Sequence, residues 1–211
     1  MTENMGKREL NKAKKRSAIV EVATRSFFDR GYAATTMSSI ADELGGSKAT
    51  LWAHFGSKED LFAAVVDNKV DSFAQDVNEV LTGQTFSFPA LRRACLRFID
   101  CLLRENSVQL FRLVVSEGER FPEINEMFYE RGPQRFRGCV TEFYATQFTQ
   151  EEAERLTQVT VSALVGYRSD ILMRPRRPTL KEREAFVDDL IGLIDWPRAP
   201  CPQAGRAAGM A

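Results

Sequence analysis

The strongest constraint on the fold is a run of short amphipathic segments, separated by glycine turns, within residues 16–58. Apolar residues recur there at three- and four-residue steps, which is the period of a helix with one buried face. Gly31 supplies a stop for the first segment, and Thr36 and Ser47 stand where N-caps of the next two are expected. Because only the turn 45–47 separates the last two segments, the pattern predicts a helix-turn-helix unit.

Beyond residue 58 the helical period keeps returning, and no alternation persists long enough to indicate a strand. The sequence therefore predicts an all-α fold of about nine helices, with a kink at Gly132–Pro133. We expect a helix-turn-helix head over residues 1–58, a larger helical domain over 59–196, and a disordered tail rich in Pro, Gly and Ala over 197–211. The predicted helices are 16–30, 36–44, 48–54, 58–81, 88–104, 108–120, 122–148, 151–173 and 179–195.

The formal net charge of zero conceals an uneven distribution. Residues 1–58 hold ten Lys or Arg against six Asp or Glu, whereas residues 59–211 hold 19 against 23. A basic arm, residues 7–16, sets six of these cations against Glu9 alone. Cations held near a duplex gain from counterion release, so the arm is a candidate phosphate-binding segment. A solvated and frayed N-terminus would carry the same charges.

Composition argues against several classes of function. His54 is the single histidine, so a multi-His metal site is excluded and a Ser/His/Asp triad has only this one imidazole to draw on. No glycine-rich phosphate loop is found. Four cysteines without a CxxC pair fit neither a disulfide framework nor a zinc site. No apolar stretch approaches the roughly 18 residues that a membrane span requires. We expect a cytoplasmic chain without membrane, metal or cofactor, and not an enzyme, although catalysis by carboxylates alone stays open in principle.

The segment TTMSSIADELGGSKATLWAHFGSKEDLF, residues 35–62, resembles the DNA-binding unit of the TetR family of transcriptional regulators. It shares the Thr-Thr pair, Ile-Ala, a glycine turn, Thr-Leu, His-Phe and a following Lys-Glu at the family's spacing. Two positions depart from that pattern. Gly46 stands where an apolar residue is usual, and Trp52 stands where the family usually has Tyr.

The resemblance implies double-stranded DNA as a partner and assigns roles within the unit. Lys48 would donate to guanine, Ala49 would touch a thymine methyl, and Thr50 suits either contact. Taken singly, such residues are more often plain surface, capping or packing residues, and it is their joint order that favours DNA binding. The residues expected to hold phosphates without reading bases are Thr36, Ser47, Trp52, His54 and Lys58.

In the resembled family the larger domain forms a homodimer and encloses a small-molecule effector. Wide apolar stripes on the last two predicted helices favour a four-helix interface, with an ordinary intrachain core as the alternative. The predicted interface residues are Leu156, Val159, Ala163, Phe186, Leu190 and Ile194. The predicted pocket residues are Phe98, Leu102, Phe111, Val115, Phe128, Tyr144 and Tyr167, with Arg112 or Glu117 as polar anchors.

Together these features predict a ligand-responsive regulator, most simply a repressor, that binds a palindromic operator as a homodimer and is released by a small effector. Residues 121–136 resemble a stretch found in the branch of the family that includes repressors of multidrug efflux operons, which indicates a lipophilic effector. The alternative is a helical ligand-binding or scaffolding dimer without operator binding. Activation instead of repression is open, since the sequence does not encode where an operator lies.

Overall fold

The protein is described by a computed structural model over residues 2–45, 48–81 and 83–197, with the backbone alone described at 2–5 and 72–79. The described residues are helical and contain no strand, which confirms the predicted all-α class. The elements are α1 (Thr2–Ala34), α2 (Met37–Glu43), α3 (Lys48–Trp52), α4 (Lys58–Leu81), α5 (Phe88–Leu102), α6 (Glu105–Glu117), α7 (Pro122–Tyr129), a π-helical turn (Glu130–Gln134), α8 (Arg135–Ala145), α9 (Gln150–Met173) and α10 (Leu180–Leu193).

The count of about nine helices holds when α7, the π-helical turn and α8 are taken as one interrupted helix. Pro133 lies inside the turn, at the predicted kink, because proline cannot donate the backbone hydrogen bond that a regular helix needs. Of the tail predicted over 197–211, Pro197 alone is described, and residues 198–211 lie outside the described part of the chain.

The first helix is longer than predicted. Apolar periodicity placed its start at Arg16, whereas α1 begins at Thr2. The added residues are mostly Lys, Arg, Glu, Leu and Ala, which have high intrinsic helix propensity and need no buried face to continue a helix. The predicted stop is confirmed, because Gly31 interrupts the helical geometry with φ 84° and ψ 166°.

The chain divides into two compact units. The first contains the residues up to Asp76 together with Asp100–Phe136, and the second contains Val77–Ile99 and the residues from Arg137 onwards. Helices α6 and α7 therefore belong to the same unit as the helix-turn-helix head. The first unit thus contains residues from both predicted domains, 1–58 and 59–196.

Four aromatic rings form the centre of the first unit. Tyr32 lies 5.7 Å from Phe27, 5.2 Å from Phe62 and 5.1 Å from Phe121, measured between ring centroids. The first three of these residues are fully buried. Edge-to-face and stacked aromatic pairs add to the free energy of simple burial. The cluster thus joins α1 to α4 and to the start of α7.

A second aromatic cluster organises the other unit. Phe86 lies within 6 Å of five rings, those of Phe88, Phe143, Tyr144, Phe148 and Trp196. The hydroxyl of the fully buried Tyr144 shares a hydrogen bond of 2.8 Å with Thr160, so its polar atom is satisfied. The Trp196 indole donates to the carbonyl of Ile191 at 2.9 Å. These contacts hold the chain that follows α10 against the segment before α5.

Gly31 offers a test of the turn that follows α1. Alanine there would adopt a backbone conformation that is essentially restricted to glycine, and its Cβ would collide with the Glu117 carboxylate. We expect Gly31→Ala to lower the free energy of unfolding by about 1–3 kcal/mol, measured by urea denaturation. Gly138→Ala is the matched control, since an added Cβ meets nothing within 4 Å in α8. The control should be neutral or stabilising by up to about 1 kcal/mol, and equal losses in both variants would contradict this account.

Candidate nucleic-acid interface and associated surfaces

Thr36 forms the N-terminal cap of α2, as predicted. Its hydroxyl accepts the Ser39 backbone N–H at 3.1 Å, and the Ser39 hydroxyl accepts the Thr36 backbone N–H at 3.1 Å. This reciprocal capping box satisfies donors that a helix start leaves unpaired. Thr36 itself is exposed, so the start of α2 presents a fixed polar surface to solvent.

Helix α3 is anchored by one residue and presents others to solvent. Leu51 is 1% exposed, whereas Lys48 and Ala49 are exposed and the large ring of Trp52 is 52% exposed. These three exposed positions lie on one side of the helix, since residues one and four apart share a face within about 100°. Thr50 is half-buried. The predicted contact at Ser47 lies outside the described residues.

His54 and Lys58 are held more closely by the head than surface residues would be. His54 is half-buried, and its Nδ1 is a buried atom with no hydrogen-bond partner in the part of the chain that is described. The Lys58 ammonium lies 4.1 Å from the centroid of the Tyr32 ring. Burial lowers the Lys58 pKa, while the carboxylates of Glu59 and Glu117 act to raise it.

Tyr32 connects this lysine to the core. Its hydroxyl donates to Glu59 at 3.2 Å, and burial together with the Glu59 charge raises the Tyr32 pKa. The phenol therefore remains a neutral donor. The pKa of Glu59 is lowered chiefly by a backbone hydrogen bond and to a smaller extent by the hydrogen bonds from Ser57 and Tyr32. Lys58 consequently rests on a ring whose position is fixed by the aromatic core.

Glu117 has a partner that the sequence did not indicate. Both of its carboxylate oxygens lie 3.3 Å from the backbone N–H of Ala33, which donates across a separation of 84 residues. The prediction placed Glu117 at an effector pocket as a polar anchor. In the structure its carboxylate ties the end of α6 to the turn between α1 and α2. No local sequence motif indicates such a contact.

Arg16 was also missed as a head residue. Its guanidinium lies over the Phe55 ring, 4.7 Å from the centroid, and Phe55 is buried just after α3. Helix register could have indicated this contact, because Arg16 continues the face that carries Val20 and Phe27. The contact connects the start of the packed part of α1 to the chain that follows α3.

The predicted pocket residues divide between the two compact units. In the first unit Leu102 is buried, Phe111 and Phe128 are half-buried, and Arg112 and Val115 are exposed. Val115 is 63% exposed, so it points away from the core of its unit. In the second unit Phe98, Tyr144 and Tyr167 are buried. The Tyr167 ring stacks on Phe186 of α10 with centroids 3.8 Å apart, which gives it a packing partner on the predicted interface helices.

Five of the six predicted interface residues line one open groove along α9 and α10. The groove has a volume of about 780 Å³ and carries acidic and basic residues beside the apolar ones. Val159 is 51% exposed and Leu193 is 86% exposed, so two large apolar side chains of this groove face solvent. Ala163 is half-buried and does not line the groove. The predicted residues that do line it are Leu156, Val159, Phe186, Leu190 and Ile194.

The described residues offer few groups for metal binding, membrane insertion or thiol chemistry. Across the described residues, no cluster of three or more His, Cys, Asp or Glu side chains is placed to hold a metal ion. No helix there combines the length and the apolar character needed to cross a bilayer. Burial raises the pKa of Cys95 to about 12, so this thiol stays protonated and unreactive near neutral pH.

Two family models match the chain. Residues 19–65 match the model described as bacterial regulatory proteins, tetR family, and residues 89–161 match the C-terminal domain of AefR-like transcriptional repressors. The first match covers α2 and α3 with the adjoining parts of α1 and α4. The second begins at the start of α5 and ends within α9.

Individual relatives agree with these models. The transcriptional activator FasR of Mycolicibacterium smegmatis is 36% identical over 105 residues, which are 50% of this chain and 47% of FasR. The repressor ComR of Escherichia coli is 39% identical over 59 residues, 28% of either chain. The matched region thus spans about half the length of the first relative and less of the second.

Solved structures cover more of the chain. A structure from Mesorhizobium loti described as a TetR-family regulator has a TM-score of 0.71 at 25% identity, over 86% of this chain and 95% of its own. The flavonoid-responsive regulator FrrA has a TM-score of 0.71 at 25% identity, over 85% of this chain and 94% of its own. The similarity in fold therefore extends through both compact units.

The effect of the Glu117 charge on the Lys58 pKa can be measured. Replacing the carboxylate by an amide in Glu117→Gln removes a negative neighbour that raises the lysine pKa, so the Lys58 pKa should fall further below its usual value. An NMR titration of lysine side chains labelled at Cε would follow the change. Glu119→Gln is the matched control, since Glu119 is exposed two residues away and does not contribute to the Lys58 pKa. The same fall in both variants would contradict the assignment.

Proposed function

Because this chain belongs to the TetR family of transcriptional regulators, whose members are not enzymes, we propose that it is a repressor that binds a palindromic operator as a homodimer and is released by a small, lipophilic effector. The single observation that carries the proposal is the geometry of α3. Its Leu51 is buried in the head while Lys48, Ala49 and Trp52 share an exposed face. A short helix held in this way can enter a major groove without losing its anchor.

Each head would read bases with the start of α3. Lys48 would donate to guanine O6 or N7, Ala49 would contact a thymine methyl, and Thr50 would contribute at its edge. The surrounding residues would position the head on phosphates. In this scheme Lys58 supplies positive charge from its seat over Tyr32. The proposed phosphate contacts are Thr36, Ser47, Trp52, His54 and Lys58.

The groove on α9 and α10 supports the homodimer. Two copies related by a two-fold axis would cover the exposed Val159 and Leu193 of both protomers. Arg155 lines the same groove as Asp189 and Asp195, so a two-fold arrangement can set cations of one copy against carboxylates of the other. The stack of Tyr167 on Phe186 keeps the two helices of each face together.

The proposed effector site lies among the aromatic residues that the second unit carries on α5, α8 and α9. The name of FrrA, a flavonoid-responsive regulator, supports an aromatic and lipophilic effector for this chain. Release from the operator requires only a modest coupling free energy between effector binding and DNA binding, since a 100-fold loss of operator affinity corresponds to about 2.7 kcal/mol. The proposed lining residues there are Phe98, Tyr144 and Tyr167, whereas the other predicted pocket residues, Leu102, Phe111, Arg112, Val115 and Phe128, belong to the first unit.

The sign of regulation is proposed from the C-terminal family model. That model is described by a repressor, and it matches residues 89–161. FasR is named an activator and ComR a repressor, so the relatives include both signs. A reporter gene placed behind the selected operator would decide: repression by this chain supports the proposal, and activation would contradict that part of it.

The proposal is tested by selecting duplexes from a random pool with the full-length chain. We expect enrichment of a palindrome whose half-sites lie about one helical turn, roughly 34–36 Å, or a multiple of it apart. Salt should weaken the binding, because phosphate contacts release counterions. A pool that stays random after repeated rounds would contradict operator binding and favour a ligand-binding or scaffolding dimer.

Lys48→Ala should relax sequence preference. Loss of a lysine contact to a guanine edge removes about 1–3 kcal/mol of discrimination at that base pair. Binding to the selected operator and to single-base variants of it would be compared by fluorescence anisotropy. Lys181→Ala is the control, because Lys181 is exposed on α10, outside the head. Unchanged base discrimination in Lys48→Ala would show that this side chain does not read the operator.

Val159→Glu should dissociate the homodimer. A carboxylate placed in the groove would lose its hydration when two copies meet, and we expect the dimer to weaken by at least about 100-fold. Sedimentation over a range of concentrations measures the change. Val115→Glu makes the same substitution at a similarly exposed valine of α6 and should leave the association unchanged. Equal behaviour of the two variants would place the interface elsewhere.

A further inference from the structure

The N-terminal part of α1 is a helix that stands clear of the core. Residues 6–18 are exposed, and Ile19, directly after them, is buried. At 1.5 Å per residue this exposed stretch is about 20 Å long. An isolated helix of this length would be marginal in water, but here the packed part of α1 supplies the nucleus that it extends. The basic arm is therefore a preformed helix.

The helix register places five of the six cations of the arm on two faces of the helix, and Lys15 belongs to neither set. Arg8, Lys12 and Arg16 follow one another at four-residue steps, and the same row continues into the buried Val20 and Phe27. These three cations thus extend the face by which α1 packs onto the head. The row ends on a defined contact, since the Arg16 guanidinium lies over the Phe55 ring just beyond α3.

Two other cations lie on the opposite face. Lys7 and Lys14 are seven residues apart and line up with Glu21 and Arg25, which are exposed. This face is directed away from the core of the head all along α1. The arm therefore carries one row of cations on the side of α3 and one pair on the side of solvent.

We propose that the arm helix, residues 6–18, is a second DNA-binding element that lays Arg8 and Lys12 on backbone phosphates flanking the half-site contacted by α3. The inference rests on the proposed operator binding and adds a contact outside the helix-turn-helix unit. Arg16 fixes the position of the row relative to the head, because its guanidinium lies over the Phe55 ring.

Charge and composition favour DNA over a membrane surface as the occupant. A helix that lies on a bilayer needs an apolar face opposite its cations. Leu10 is the one large apolar residue among the exposed positions 6–18. Six cations against Glu9 complement a polyphosphate backbone instead, and their contacts would be independent of base sequence.

Two double variants with equal charge change test the proposal. The row variant, Arg8→Ala with Lys12→Ala, removes the two cations proposed to contact phosphates and leaves Arg16 in place. The solvent-facing variant, Lys7→Ala with Lys14→Ala, removes the opposite pair. Alanine preserves helix propensity in both, and circular dichroism would verify the fold. Affinity would be measured over a salt series on two duplexes: the selected palindrome with long flanks, and the same palindrome trimmed to its half-sites.

On the long duplex we expect the row variant to bind more than 10-fold more weakly than the unaltered chain. The slope of log affinity against log salt should flatten by about 0.9 for each lost phosphate contact. The trimmed duplex should show a much smaller loss, and base discrimination should stay unchanged. The solvent-facing variant should lose less affinity. Its fall in log affinity should be less than a third of the fall measured for the row variant.

Equal losses in the two variants would overturn the proposal, because they would indicate diffuse charge and no oriented contact. So would a row variant that binds the long duplex as tightly as the unaltered chain does. Either result leaves operator binding intact, as long as the unaltered chain still enriches a palindrome. Failure of that enrichment would overturn operator binding, and the arm contact with it.

Discussion

The structure of the head depends on the packing of Tyr32 into the aromatic core. The positive φ of Gly31 ends the regular part of α1 and turns the chain so that the next side chain falls back onto Phe27 and Phe62. The buried phenol meets its polar needs by donating to Glu59, and its outer face receives the Lys58 ammonium. One residue thus joins α1 to the start of α4.

The packing of α3 and of the chain after it onto the head allows this helix to be short. Five residues cannot form a stable helix alone, because helix nucleation costs more than one turn returns. Leu51 and Phe55 secure the helix and its exit to the core, and Arg16 covers the Phe55 ring from α1. The exposed side chains are therefore carried on a firmly held support. Rigid support of this kind suits residues that must meet base edges at fixed positions.

The second unit combines a closed aromatic cluster with an open apolar face. Trp196 lies in both, since its ring packs on Phe86 while the residue lines the groove of α9 and α10. Tyr167 was predicted to line a pocket, yet its ring is stacked on Phe186. Helical periodicity identifies such a side chain as buried. It does not say whether the partner is an effector or a neighbouring helix, because both present the same apolar surface.

The sequence by itself determined the helical class, the helix-turn-helix unit, the stop at Gly31, the cap at Thr36 and the apolar face of α9 and α10, because each depends on residues a few positions apart. Only the tertiary structure decided three contacts: Glu117 with the Ala33 N–H, Arg16 with Phe55, and Tyr167 with Phe186. Each joins residues on different helices, where local periodicity carries no information about the partner. The length of α1 was predicted only in part. The amphipathic pattern alone puts its start at residue 16, but the high helix propensity of the preceding residues extends the helix to Thr2.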